Sequence, residues 1–126
     1  MATVLNIAPN QMETYRATAR GREKKRQQEM AARRERARKT ADQAAALLKE
    51  DYGAKRVVLF GSLARDEPFS QQSDIDLAAW GVNEEAYYRI VSQLLDLDAA
   101  VKIDLVLSEH ASGTFLEVIE KEGISL

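Results

Sequence analysis

The sequence contains no cysteine and only one histidine, one tryptophan and two prolines among its 126 residues. Without cysteine there is no disulfide framework and no zinc site built on thiolates, which suits a reducing compartment. We therefore expect a cytoplasmic protein. Because His110 is the only histidine, no His-Ser-Asp or Cys-His catalytic arrangement can be drawn, and we interpret His110 as a surface turn residue.

Long hydrophobic runs are also missing. No apolar stretch approaches the ~20 residues that span a bilayer. The N-terminus, MATVLNIAPNQ, lacks the basic start and apolar core of a secretory signal. The composition is otherwise ordinary, with 45% hydrophobic and 30% charged residues and a net charge of −2. These features predict one domain with one modest core and no contact with a membrane.

The small net charge conceals an uneven distribution along the chain. Residues 16–39 hold eleven lysines and arginines against three glutamates, a local charge of +8, so the other residues together carry −10. Such a block indicates either a solvated helix face or a basic segment that contacts an acidic surface. Nucleic acid is a secondary candidate for that contact.

A long N-terminal helical arm is predicted over residues 10–50, because strong helix formers dominate this segment. Asn10 suits the N-cap, with Glu13 in the capping-box position three residues later. Gly21 would either leave one long helix or bend it into two. Residues 1–9 are predicted to form a short extended or mobile lead.

Apolar side chains are distributed unequally within this arm. From residue 41 onward they form a stripe that can pack on a sheet. Residues 10–40 offer little apolar surface, so we expect them to project and to contribute little to the core of residues 41–126.

Residues 51–126 are predicted to form the compact domain, in which strands and helices alternate. The strands are expected at 56–60, 73–80 and 101–107, and the helices at 62–65, 84–97 and 112–121. The chain is therefore predicted to have an α/β (α+β) fold, a small sheet flanked by helices and preceded by a long basic helix.

Three carboxylates interrupt the second and third predicted strands. Side chains alternate across a strand, so Asp74 and Asp76 leave one face of the sheet while their apolar neighbours enter the other. Asp104 stands in the same way in the apolar segment VKIDLVL. Like charges so placed raise one another's pKa unless a cation lies among them, and Mg²⁺ prefers carboxylate oxygens together with water and substrate phosphates.

Gly61-Ser62, at the end of the first strand, has the complementary chemistry. A glycine there lets the backbone approach a ligand closely. The start of the short helix predicted over residues 62–65 offers unpaired N–H groups to an anion, and Arg65 can add a phosphate contact.

The segment GSLARDEPFSQQSDIDLAAWG, residues 61–81, resembles the signature of the polymerase-β-type nucleotidyltransferases, and its wording is similar to that of the minimal nucleotidyltransferases, or MNT proteins. The resemblance extends over residues 55–107 and implies a mixed sheet flanked by helices. It also implies that Gly61 and Ser62 hold the triphosphate of ATP, to which Arg65 would add its phosphate contact. Asp74, Asp76 and Asp104 would bind two Mg²⁺ ions and carry catalysis.

MNT proteins typically act as antitoxins of HEPN-type ribonuclease toxins, onto which they transfer AMP from ATP at a tyrosine. The resemblance therefore implies a Mg²⁺-dependent protein adenylyltransferase in a hetero-oligomer with such a toxin. The sequence departs from the family pattern at Asp66, where a glycine is common, and in the eleven residues between Ser62 and Asp74, one more than usual.

Two alternatives remain open at this point. The same fold could neutralise its partner, or bind RNA through the basic residues 16–39, without catalysing a reaction. A small-molecule nucleotidyltransferase is the weaker alternative, because the chain is short for a separate acceptor-binding domain.

Overall fold

The structure, a computed structural model, describes residues 9–126. Helix α1 runs from Pro9 to Tyr52 as one element, so Gly21 does not divide it. Asn10 lies inside this helix, and its prediction as the N-cap is wrong. Within the described residues the helix already includes Pro9. The rest of the predicted lead, residues 1–8, lies outside the described residues.

After α1, the predicted alternation of strands and helices is confirmed, with two differences. Residues 62–65 form consecutive turns rather than a short helix, and a short last strand was not predicted because its two residues carry no readable periodicity. Single turns of 3₁₀-helix occupy Glu84–Ala86 and Ser108–His110. The other elements are β1 (Arg56–Phe60), β2 (Ile75–Trp80), α2 (Tyr87–Leu97), β3 (Ile103–Leu107), α3 (Gly113–Glu122) and β4 (Ile124–Ser125).

The four strands form one mixed sheet in the order β3-β2-β1-β4. Strand β1 is antiparallel to both β2 and β4, whereas β2 and β3 are parallel. The end of β1 and the beginnings of β2 and β3 therefore meet at one edge of the sheet. In this register Asp76 pairs with Phe60 on one side and with Asp104 on the other.

Helices cover both faces of the sheet. Helices α1 and α2 pack on one face, where the buried strand residues include Leu59, Ile75 and Leu77. Helix α3 covers part of the other face, where Ile119 packs on Val58 and Ala78. The carboxylates of β2 and β3 belong to this second, less filled face.

Helix α1 divides into an exposed half and a packed half. Residues 13–29 are exposed throughout, as expected for a projecting segment. The packing begins earlier than predicted, because Ala37 is fully buried in the main core and Thr40 is also buried. The expectation that residues up to 40 contribute little to the core is therefore wrong for this turn of the helix. Among the described helices, none is both long and apolar enough to cross a membrane.

Candidate active site

The candidate site lies at the edge of the sheet where β1 ends and where β2 and β3 begin. Asp76 and Asp104 are the second residues of β2 and β3 and face each other in the parallel register. Asp74 comes directly before β2 rather than inside it, because the strand begins at Ile75. The flanking Ile75 and Leu77 are fully buried on the opposite face, so the predicted alternation of carboxylates and apolar residues is confirmed.

Asp76 is the most perturbed acidic group of this edge. Burial, with the charges of Asp104 and Asp74, raises the pKa of its carboxyl to about 6. The cations of Arg65 and Lys102 oppose this increase. The three predicted carboxylates are therefore close enough to repel one another, while two basic side chains reach the same region.

At Gly61 the turn that follows β1 comes close to the Asp76 carboxylate. The φ of Gly61 is +76°, in the left-handed region that favours glycine. A Cβ on this residue would lie 3.1 Å from the Asp76 Cγ and still closer to its Oδ2 atom. Glycine is thus required by the backbone conformation and by the close approach of the carboxylate together.

The turn after Gly61 is folded by hydrogen bonds among its own backbone groups. The amides of Ala64 and Arg65 both donate to the Gly61 carbonyl at 3.1 Å, and the Glu67 amide donates to the Ser62 carbonyl at 3.2 Å. Within residues 9–126, the amides of Ser62 and Leu63 have no hydrogen-bond partner. Two N–H groups in the first part of the turn are therefore left for an anion, although the predicted helix is absent.

Arg65 is near the carboxylates but already has partners. Its guanidinium donates to Glu67 at 2.8 and 3.4 Å and to Glu122 of α3 at 3.3 Å. The hydrogen bonds that Arg65 donates to Glu67, together with the charge of Glu67, raise the pKa of Arg65, and the hydrogen bond to Glu122 and the charge of Glu122 raise it further. A phosphate contact by Arg65 would therefore require an exchange of carboxylate for phosphate, two anions that its planar fork binds in the same way.

Sequence reasoning missed Lys102, which lies 3.4 Å from the Asp104 carboxylate. The signal was present in the sequence, because Lys102 and Asp104 are two residues apart at the start of β3 and so share a side of the chain. Lys102, Asp76 and Asp104 line a common groove of about 630 Å³. Its other walls are apolar, from Phe60 of β1 and Phe115 of α3 among others.

His110 belongs to a different part of the molecule. It follows β3 at the far end from the carboxylates and is exposed, 3.4 Å from Glu84. The interpretation of His110 as a surface turn residue is confirmed.

The acidic residues suit a divalent cation in their chemistry. Carboxylate oxygens are the ligands that Mg²⁺ prefers. The pKa of Asp76 is raised first by burial and then by repulsion from Asp104 and Asp74, and a bound cation would offset both effects. In the part of the chain that the structure describes, no three acidic or histidine side chains already have the spacing of a metal site. Metal binding by Asp74, Asp76 and Asp104 therefore stays a prediction, and it requires these side chains to move closer together.

Comparison with known proteins links this geometry to one family. The family model described as polymerase beta, nucleotidyltransferase matches residues 42–126. The match begins inside α1, so the exposed half of that helix lies outside it. No curated protein sequence matches the chain.

Three solved structures share the fold. A putative minimal nucleotidyltransferase is 28% identical with a TM-score of 0.62, and the match covers 74% of this chain and 95% of that one. A chain of the tri-AMPylated Shewanella oneidensis HEPN toxin in complex with MNT antitoxin is 19% identical with a TM-score of 0.53, covering 71% and 70%. A chain of a toxin–antitoxin structure with AMP-PNP is 22% identical with a TM-score of 0.55, covering 66% and 69%.

Proposed function

Since the chain belongs to the polymerase beta nucleotidyltransferase family, we propose that it is a Mg²⁺-dependent adenylyltransferase that neutralises a HEPN-type toxin. The reaction would transfer AMP from ATP to a tyrosine hydroxyl of that toxin. The observation that carries the proposal is the meeting of Asp76 and Asp104 in register beside the Gly61 turn. A protein that only bound a partner would have no need for carboxylates that destabilise one another.

Each part of the site has a role in this reaction. The free amides of Ser62 and Leu63 would bind the triphosphate, with Arg65 released from its carboxylate partners to assist. Asp74, Asp76 and Asp104 would hold the metal ions. Bound Mg²⁺ neutralises phosphate charge and stabilises an in-line displacement. The tyrosine oxygen bonds to the α-phosphorus, the bond to pyrophosphate breaks, and the hydroxyl proton is released.

Lys102 adds a cation beside the carboxylates. Its salt bridge keeps it at Asp104, and it lies in the groove through which an acceptor would reach that residue. We assign it to orienting Asp104 and to stabilising negative charge on the entering oxygen.

The proposed toxin partner is supported by the complexes in which similar chains are found. Similar chains occur in a HEPN toxin–MNT antitoxin complex that carries AMP modifications and in a toxin–antitoxin structure with AMP-PNP. The groove at Asp76 and Asp104 is open and largely apolar in its walls, which suits a protein surface that presents a tyrosine. We therefore propose a hetero-oligomer in which the exposed half of α1 also contacts the toxin.

Binding without catalysis is the second candidate. It is favoured by one observation, the run of exposed basic residues on the half of α1 that lies outside the family match. This helix could bind a partner protein, or RNA, while the carboxylates take part in no reaction.

The deciding experiment mixes the protein, a HEPN-type partner, ATP and Mg²⁺ and follows the partner by intact mass. We expect adenylate addition with the native protein and with Asp96→Asn, a control on the exposed side of α2. Asp76→Asn and Asp104→Asn should reduce the rate by at least about 100-fold, because loss of a metal ligand should cost no less than the roughly 10–100-fold that loss of a group supporting such a ligand costs. Equal modification by all four proteins would remove the metal-site assignment, and no modification by any would favour the second candidate.

A further inference from the structure

Arg34 connects the long helix to the turn that follows β1. It lies on α1, outside the family match that begins at residue 42. Its Nη1 donates to the Glu67 carbonyl at 2.7 Å and its Nη2 donates to the Leu63 carbonyl. Its Nε lies 3.3 Å from the Asp66 carboxylate. With only 26% of its side chain exposed, one guanidinium contacts three of the residues in this turn.

The turn is attached to the rest of the molecule mainly by side chains, because Leu63 is buried in the main core and Arg65 reaches Glu122 of α3. Its main chain has few hydrogen bonds to other elements. Its remaining backbone hydrogen bonds stay within residues 61–67. Among the described residues, Arg34 is the only one from another element that hydrogen-bonds to the main chain of residues 62–67. The turn also contains Asp66 at φ +59°, a left-handed conformation that is unfavourable for a residue with a Cβ. The contacts from Arg34 offset that cost.

We propose that Arg34 is a positioning residue for nucleotide binding, which holds the turn so that the Ser62 and Leu63 amides point to the phosphates of ATP. This inference rests on the proposed nucleotide-binding role of the turn. Its consequence is that helix α1 forms part of the site, although the family model does not reach this part of the helix. A free turn would have to be ordered by the ligand, at a cost in affinity.

The contacts explain why arginine occupies this position. Two carbonyl oxygens and one carboxylate are contacted by three different nitrogens of one planar group. Lysine carries one nitrogen and no fixed fork, so it cannot reach all three acceptors at once.

The test compares Arg34→Gln with Arg33→Gln, in which the adjacent arginine has no hydrogen-bond or ion-pair partner among the described residues. Calorimetry with ATP and Mg²⁺ measures affinity, and amide hydrogen exchange measures the order of residues 63–67. We expect Arg34→Gln to weaken ATP binding about five- to tenfold, the size of one or two lost hydrogen bonds, and to speed exchange in the turn. Arg33→Gln should behave as the native protein. In the transfer assay the KM for ATP should increase while kcat changes little.

A purely structural role would lower the melting temperature and leave ATP affinity unchanged, and this result would overturn the inference. If Arg34→Gln does not fold, Arg34→Lys takes its place in the test. Arg34→Lys should weaken ATP binding by a smaller factor than Arg34→Gln. If the native protein binds no ATP, the proposed function fails. The hydrogen-exchange comparison still decides whether Arg34 orders the turn, and unchanged exchange in Arg34→Gln would reject that as well.

Discussion

Arg36 of α1 donates two hydrogen bonds to Asp98 at the end of α2, from Nε at 2.8 Å and from Nη2 at 2.9 Å. The Asp98 carboxylate also accepts from the Ala100 amide at 3.0 Å and from the Thr40 hydroxyl at 3.3 Å. Its side chain is only 5% exposed. A nearly buried carboxylate with four donors fixes the packed half of the helix to the turn before β3.

Asp98→Ala should therefore destabilise the protein by roughly 1.5–3 kcal/mol, because it removes the buried carboxylate that accepts all four hydrogen bonds, two of them from a charged guanidinium. Hydrogen bonds from the Ala100 amide and from Arg36 hold the pKa of Asp98 below its ordinary value of 3.8. Its contribution is thus complete above that value and is lost as the pH falls through the lower, folded-state pKa. Urea unfolding of the native and variant proteins from neutral pH to about pH 2 measures this. If the difference in unfolding free energy between the native protein and Asp98→Ala stayed constant into the acid range, the stabilising role of the Asp98 carboxylate would be contradicted.

Truncation should separate the two halves of α1. None of residues 10–29 is buried, so deleting residues 1–29 should leave the melting temperature nearly unchanged. Deleting residues 1–39 also removes Arg34, Arg36 and the fully buried Ala37, and should destabilise the domain by several kcal/mol. Thermal unfolding followed by circular dichroism measures both. Equal stability of the two truncated proteins would show that these contacts contribute little.

The shorter deletion also tests the basic segment. If residues 16–29 contact an acidic partner surface, removing residues 1–29 should weaken partner binding, and most strongly at low salt, where surface charges are least screened. Binding is measured by surface plasmon resonance over a salt series. We expect RNA binding by the intact protein to stay weak, because the rest of the chain is acidic. Unchanged partner affinity with tight, salt-sensitive RNA binding would favour the binding candidate.

Asp76 should make the metal-free protein less stable at neutral pH. Because its folded-state pKa is about 6 and its ordinary value is 3.8, folding takes up a proton between these values, and stability falls as the pH rises through that window. Asp76→Asn should therefore be more stable than the native protein at pH 7, by about 1 kcal/mol once solvent screening is allowed for. The difference should vanish below about pH 4. Thermal unfolding in a chelating buffer measures this difference in stability. If Asp76→Asn were less stable than the native protein at pH 7, the unfavourable burial and repulsion of the Asp76 charge would be refuted.

Gly61→Ala should abolish ATP binding, since its Cβ would collide with the Asp76 carboxylate. Gly53→Ala is the matched control. Gly53 also has a left-handed φ, +69°, but nothing lies within 4 Å of the added Cβ. Both variants should lose roughly 1–2 kcal/mol of stability from backbone strain, whereas only Gly61→Ala should lose ATP affinity in calorimetry. Equal ATP affinity in the two variants would show that the close approach is irrelevant.

The spacing of residues along the sequence was enough to predict many elements of this protein. The alternation of carboxylates with buried Ile75 and Leu77 follows from the period of a strand, and the helical stripes of α1 and α2 follow from the period of a helix. The run from Gly61 to Asp76 likewise indicated the family, because its residues must meet at one turn and one strand. Such features depend on neighbours in sequence, and the sequence alone predicts them.

Contacts between distant residues were decided only by the tertiary structure. Arg34 and Arg36 belong to a run of basic residues that, in the sequence, is indistinguishable from a solvated face. Their partners, in the turn after β1 and at the end of α2, lie 29 to 62 residues away. The same holds for Arg65, whose carboxylate partner on α3 the motif does not reveal. The long-range pairing of a charged side chain depends on the register in which a helix lies on the sheet, and no periodicity along the chain encodes that register.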